Sequence, residues 1–155
     1  MIGEIYMGHF TNKIVAEFTP PKTWKLEEEL AFREPSLKIE EINTLKDIGV
    51  NIKDSGTITC RVGMKTDLAS VPRICWALLS PWDVARAAII HDHLYAALRG
   101  YWKKEDRSYG KWKNGKDLAD KIFLLGMHSA DPSVPKWKIY PAYWAVRLFG
   151  SWSAK

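Results

Sequence analysis

Apolar positions recur along this chain at two different periods, and the change falls near residue 66. Before it, Thr23-Trp-Lys-Leu-Glu-Glu-Glu-Leu-Ala-Phe32 sets apolar side chains at 24, 26, 30 and 32. That is close to the period of two that lets one face of a strand pack inward. Leu37–Ile42 and Val50–Ile52 read as further short strands, parted by the polar stretch Asn43–Gly49. Asp54-Ser-Gly56 signals a turn, and the run Thr57–Val62 behind it is rich in strand-forming residues. The three adjacent carboxylates Glu27, Glu28 and Glu29 fit a solvated edge better than a metal site.

From Ser80 onward the spacing becomes helical. Ser80 is a candidate cap, with Pro81 at the first helical position and Asp83 in the first turn, and Gly100 supplies a stop. This predicts a helix over Trp82–Arg99. A second is expected from about Asn114-Gly115 to the residues before Asp131-Pro132, burying Leu118, Ile122 and either Leu125 or Phe123 with Met127. A third runs from about Ile139 to Phe149, closed by Gly150. The expected fold is α+β: a small N-terminal antiparallel sheet, then a C-terminal part of two or three helices. Strand-rich residues 1–66, a loop over 67–80 and helical residues 81–150 form one domain of the 155 residues.

Composition narrows the class. Apolar residues at 46% and charged residues at 26% are globular values. No apolar run approaches the roughly 20 residues of a membrane span, and Met1–Phe10 lacks the basic start and apolar stretch of a secretory signal. Cys60 and Cys75 can build neither a disulfide framework nor a zinc site alone. The net charge of +5 is uneven: residues 1–80 balance at −1 and residues 81–155 at +6, with six of the eight tryptophans in the second part. A cationic, Trp-rich half suits an anionic partner, although a packed aromatic core with a mildly basic surface explains the same composition.

The candidate chemistry lies late on the first strong helix, in His91-Asp92-His93-Leu94-Tyr95. His91 and Tyr95 are four apart and share a face, whereas Asp92 lies about 100° around the helix. Should the second helix return antiparallel, it brings Asp117 and Asp120 within reach. A histidine with one nitrogen on a carboxylate and the other toward a cleft is a general base for water. The same residues also suit a satisfied polar cluster that holds two helices in register. His93 points elsewhere and reads as a surface histidine; His9 and His128 show no partner pattern. Upstream, Thr66, Asp67 and Ser70 are residues that fold loops onto themselves, and Arg73 is able to clamp an anion. Asp67 and Asp92 are hard oxygen donors, so any cation here is expected to be calcium or magnesium rather than zinc.

Four motifs stand in order: Thr66-Asp-x-Ala-Ser-Val-Pro-Arg73, Arg86-Ala-Ala-x-x-His-Asp-x-Leu-Tyr95, Ala119-Asp-x-x-Phe-x-x-x-Met127 and Tyr143-x-Ala-Val-Arg-x-Phe-Gly150. With the strand around Trp24–Phe32 they resemble a domain-of-unknown-function family widespread in tailed phages and prophages. The likeness spans Trp24 to Gly150 and implies a phage origin without assigning an activity. A local likeness concerns mechanism. His91-Asp92-x-x-Tyr95 is similar to the active-site helix of calcium-dependent secreted phospholipases. It implies His91 as the base, Asp92 as a calcium ligand, and Tyr95 and Asp120 as supports. The cysteines that flank that motif, and the glycine-rich calcium loop, have no counterpart here; only the loop around Asp67 could stand in for the latter.

Arg99–Lys116 holds seven basic and two acidic residues, interleaved with Tyr101, Trp102, Tyr109 and Trp112. Lys103, Lys104 and Trp102 are its candidate contacts for anionic lipid, ahead of single-stranded nucleic acid. Its plain alternative is a solvated inter-helix loop whose aromatics pack back on the domain. The leading expectation is a phage-encoded, metal-assisted esterase or phospholipase-like hydrolase, acting in the host cytoplasm or the virion. The competing one is a non-catalytic tail or neck component bound to other virion proteins, or a host-interacting phage protein.

Overall fold

The computed structural model describes residues 7–11, 13–67, 81–130 and 133–155. Ser70, Arg73, Cys75 and the Ser80 cap lie outside the described residues. Among the described residues, two three-stranded antiparallel sheets and four helices give an α+β arrangement. The first sheet orders β1 (His9–Phe10), β4 (Leu30–Arg33) and β5 (Thr57–Cys60) as β1-β4-β5. The second orders β2 (Ala16–Thr19), β3 (Thr23–Leu26) and β6 (Lys65–Thr66) as β2-β3-β6.

The expected strand over Thr23–Phe32 is therefore two strands in two sheets. Glu27, Glu28 and Glu29 are all exposed, whereas Leu26 and Leu30 on either side are buried. Three successive carboxylates cannot alternate between an apolar and a wet face, so the chain leaves one ladder there and enters the other. In the first sheet Leu30 opposes Cys60 and Phe32 opposes Ile58, all four buried against the helices.

The expected strand at Leu37–Ile42 is corrected outright: α1 (Ile39–Asp47) occupies it. The buried residues Ile42, Leu45 and Ile48 then follow a spacing of three, and the polar residues of Asn43–Gly49 form the outer face of that helix. The Glu41 carboxylate accepts the Lys38 N–H at 2.9 Å, which satisfies one amide left over at the helix start. Val50–Ile52 contributes only an isolated bridge from Ile52 to Ile58. At the predicted turn, Gly56 has φ 79°, and a β-carbon there would overlap the Glu34 carbonyl.

Helix α2 (Pro81–Trp102) runs through the proposed stop at Gly100. An interior glycine costs only about 1 kcal/mol, and burial of Leu98 and Tyr101 on either side outweighs that. Helix α3 (Tyr109–His128) begins five residues before Asn114, because the Ser108 hydroxyl accepts the Lys111 N–H at 3.3 Å and caps it. Much of the supposed loop Arg99–Lys116 is thus helix. Helix α4 (Lys136–Phe149) starts three residues before Ile139.

Helices α2 and α3 pack closely where Gly126 meets Ala87; a β-carbon on Gly126 would lie 3.1 Å from that of Ala87. One apolar cluster joins Leu26, Phe32, Ile58, Leu45, Ile90, Leu94 and Tyr95 across both sheets, α1 and α2. A second joins Val84 and Ala88 to Phe123, Met127, Ile139 and Val146 across α2, α3 and α4. Each fully buried large side chain in them contributes about 1.5–3 kcal/mol.

Candidate functional site

Where those two clusters meet, the core turns polar. His91 and Tyr95 lie one turn apart on α2, with ring centroids 4.1 Å apart, and Phe123 covers His91 from α3 at 4.8 Å. Asp120 faces them from α3. His91 Nε2 lies 2.9 Å from Asp120 Oδ1, and the Tyr95 hydroxyl donates to the same oxygen at 2.7 Å. The structure brings these three sequence-derived candidates together, and all three are fully buried.

Two further residues were missed by reading the sequence. Lys116 Nζ donates to Asp120 Oδ2 at 2.7 Å from one turn earlier on α3, and Arg147 Nη1 of α4 reaches the same oxygen at 3.2 Å. Arg147 also pairs with Asp117 at 2.7 Å, and Lys113 holds Asp117 at 3.0 Å. The available signals were the i, i+4 spacing of Lys116 to Asp120 and the arginine inside the Tyr143–Gly150 motif. Gly150 belongs here as well, since a β-carbon on it would overlap the Tyr95 hydroxyl. Three helices therefore converge on one carboxylate.

Burial alone would raise the Asp120 carboxyl. The His91 hydrogen bond and charge, with Lys116 and Tyr95, outweigh it and hold the group below the usual carboxylate range. Burial, and then the Asp120 charge, push the Tyr95 hydroxyl far up, so it acts only as a neutral donor. Because Asp120 only accepts, His91 presents a proton on Nε2, and its neutral form then carries a lone pair on Nδ1. That Nδ1 is buried and has no hydrogen-bond partner among the described residues.

Asp92 turns away from this cluster. It accepts from the Thr66 hydroxyl, which ties β6 to α2. Asp67, 35% exposed at its side chain, pairs with Lys22 at 3.7 Å. Among the described residues no group of three or more His, Cys, Asp or Glu gathers. His93 is half-buried rather than on the surface: its Nε2 accepts the Asn51 N–H at 3.4 Å. Burial, then the Arg61 charge, lowers its pKa. Cys60 is pushed up to about 12 by burial and then by Asp92, which makes it an inert core thiol.

Tyr101, Trp102 and Trp112 of Arg99–Lys116 pack back on the fold, whereas Tyr109 is 59% exposed. Trp102 lies 5.1 Å from Trp112, whose indole N–H donates to the Ala154 carbonyl at 3.0 Å. Tyr101 is buried and its hydroxyl accepts the Ser108 N–H, while Lys103 and Lys104 stay exposed in the turn between the helices. No helix among the described residues is long and apolar enough to cross a membrane.

No curated protein and no solved structure matches this chain. The family described as Protein of unknown function (DUF1353) matches residues 43–146, which take in β5, β6, α2, α3 and most of α4, and the chain belongs to that family.

Proposed function

We propose that this is a phage-encoded hydrolase of carboxylic or phosphoric esters, phospholipase-like in its chemistry, with His91 as the general base. One observation carries the proposal: the buried Nδ1 of His91 has no partner among the described residues, while Nε2 is held by a carboxylate that is itself clamped. Asp120 and Tyr95 position His91, and Lys116 and Arg147 fix Asp120. In the reaction, Nδ1 takes a proton from water as the oxygen attacks the ester carbon or phosphorus. The ester C–O or P–O bond then breaks, and the imidazolium returns the proton to the leaving alkoxide. His91 has no exposed surface, so substrate binding must open the cluster to admit that water. A bound cation remains a proposal too: Asp92 would hold calcium or magnesium only if other oxygens came from outside the described residues. The phage origin rests on the four ordered motifs.

A second function has its own observation. Asp120 is fully buried and meets four donors from three helices, as a structural clamp in a non-catalytic virion component would. The two separate in one experiment. Short-chain phospholipid and p-nitrophenyl esters are offered to the parent and to His91→Gln. The catalytic proposal expects turnover in the parent, none in the variant, and melting temperatures within a few degrees, since Gln keeps a donor toward Asp120. A parent with no turnover and a variant with a large stability loss supports the clamp.

A further inference from the structure

We infer that the outer face of α4 docks on an anionic phospholipid surface. At about 100° per residue, Trp137, Pro141, Trp144 and Leu148 fall within about 60° of one another. Their exposures are 66% for Trp137, 57% for Trp144 and 70% for Leu148. Ile139, Ala142 and Val146 are buried on the opposite side, against the second apolar cluster. The helix thus has two apolar faces, and among the described residues only one of them is packed against the core. Tyr140 borders the outer face, and Phe149 and Trp152, close by in the chain, are also exposed, at 59% and 87%. A folded protein rarely leaves an apolar stripe of this kind in water without a partner.

The charge around the stripe selects that partner. Ser133–Lys155 contains four basic residues and no acidic one. Lys136 and Lys138 flank Trp137 at the start of α4, with Lys138 Nζ 5.5 Å from its ring centroid. At the far end Lys155 lies 4.8 Å from the Trp102 ring centroid, next to the turn that carries Lys103 and Lys104. Cations therefore stand against aromatic rings at the start of α4 and at the end of the segment that follows it. Tryptophan and tyrosine seat in the headgroup layer, leucine and phenylalanine enter the acyl boundary, and lysines meet lipid phosphates. The arrangement does not depend on His91 being catalytic.

The test uses the intact chain and vesicles of equal parts phosphatidylcholine and phosphatidylglycerol, with pure phosphatidylcholine beside them. Co-sedimentation and a blue shift of tryptophan emission are expected on the anionic vesicles and are weakened by salt. Trp137→Ser/Trp144→Ser/Leu148→Ser should bind at least about tenfold more weakly, with an unchanged circular dichroism spectrum because these side chains are exposed. Lys136→Gln/Lys138→Gln should also lose affinity, most clearly at low salt. His91→Gln should bind like the parent, which separates docking from hydrolysis. No binding by the parent, binding undiminished in the triple variant, or a parent dimer that the triple variant dissociates would each overturn the proposal. The last outcome would assign the stripe to a second copy of the chain.

Discussion

Replacing Asp120 by Asn keeps the shape of the clamp and removes its charge. The four groups on Asp120 all donate: His91 and Tyr95 to Oδ1, Lys116 and Arg147 to Oδ2. An asparagine has one acceptor oxygen and an amide that itself donates, so at least two donors lose their acceptor. With its oxygen toward His91 and Tyr95, the amide group faces the buried Lys116 ammonium, whose side chain is 6% exposed. Arg147 keeps Asp117; Lys116 keeps only the Val146 carbonyl at 3.5 Å. Stranding a buried charge costs about 3–5 kcal/mol. At about 2–4 °C per kcal/mol for a chain of this size, the melting temperature should fall by about 6–20 °C. Thermal unfolding followed by circular dichroism measures it. Adding Lys116→Met should restore part of the loss, because the stranded cation goes with its partner. The pH dependence follows from the same carboxyl. Its folded value lies below the ordinary value of about 3.9, so the unfolded chain takes up the proton first as pH falls. Its stabilisation is complete above that value and is lost as pH drops through the folded one; Asp120→Asn should lack this acid-side loss. A melting temperature within about 2 °C of the parent would refute the view that Asp120 neutralises a buried cation.

His93 should add a second, milder slope. Its folded pKa is depressed by burial, so its contribution is present above about pH 6.5 and is lost as pH falls through the folded value; denaturant titrations of His93→Gln should be flatter over that window. Calorimetric titration with calcium and magnesium should give heat in the parent and none in Asp92→Asn if Asp92 is a ligand, and no heat in the parent at millimolar cation removes that role. Lys103, Lys104, Lys111 and Lys113 changed together to Gln should weaken anionic-vesicle binding less than the α4 triple variant does. Stronger retention of single-stranded oligonucleotides than of vesicles by the parent would move that turn to nucleic acid.

The polar cluster was legible because α2 and α3 declare themselves: His91 and Tyr95 share a face by spacing, and Asp120 follows at antiparallel reach. Its charge balance was not. From sequence Lys116 reads as part of a basic loop, since Gly110 and Gly115 disguise the first turns of α3. In fact a β-carbon on Gly115 would lie 2.8 Å from Ile48 Cδ1, so that glycine serves close packing against α1 rather than a helix start. Arg147 enters from α4, and no local pattern says which helix a distant arginine will reach. The α1 error came from stopping at Ile42, where Leu37 and Ile39 imitate alternation; Leu45 and Ile48 restore the helical period. Glu27–Glu29 could have revealed two strands, because charge in three successive positions breaks any one-faced strand.

Alkylation of the histidines tests the central claim most directly. An α-bromo ketone forms a C–N bond with an unprotonated imidazole nitrogen and expels bromide, so it needs both a lone pair and an open path. His9 is exposed and should react in every case, which makes it the internal control. A catalytic His91 should be modified at Nδ1 in the folded protein, as read by mass spectrometry of its peptide, with loss of any ester hydrolysis in proportion. His91 left untouched until the protein is unfolded, while His9 reacts, would contradict a working base and leave the three-helix clamp as the role of this cluster.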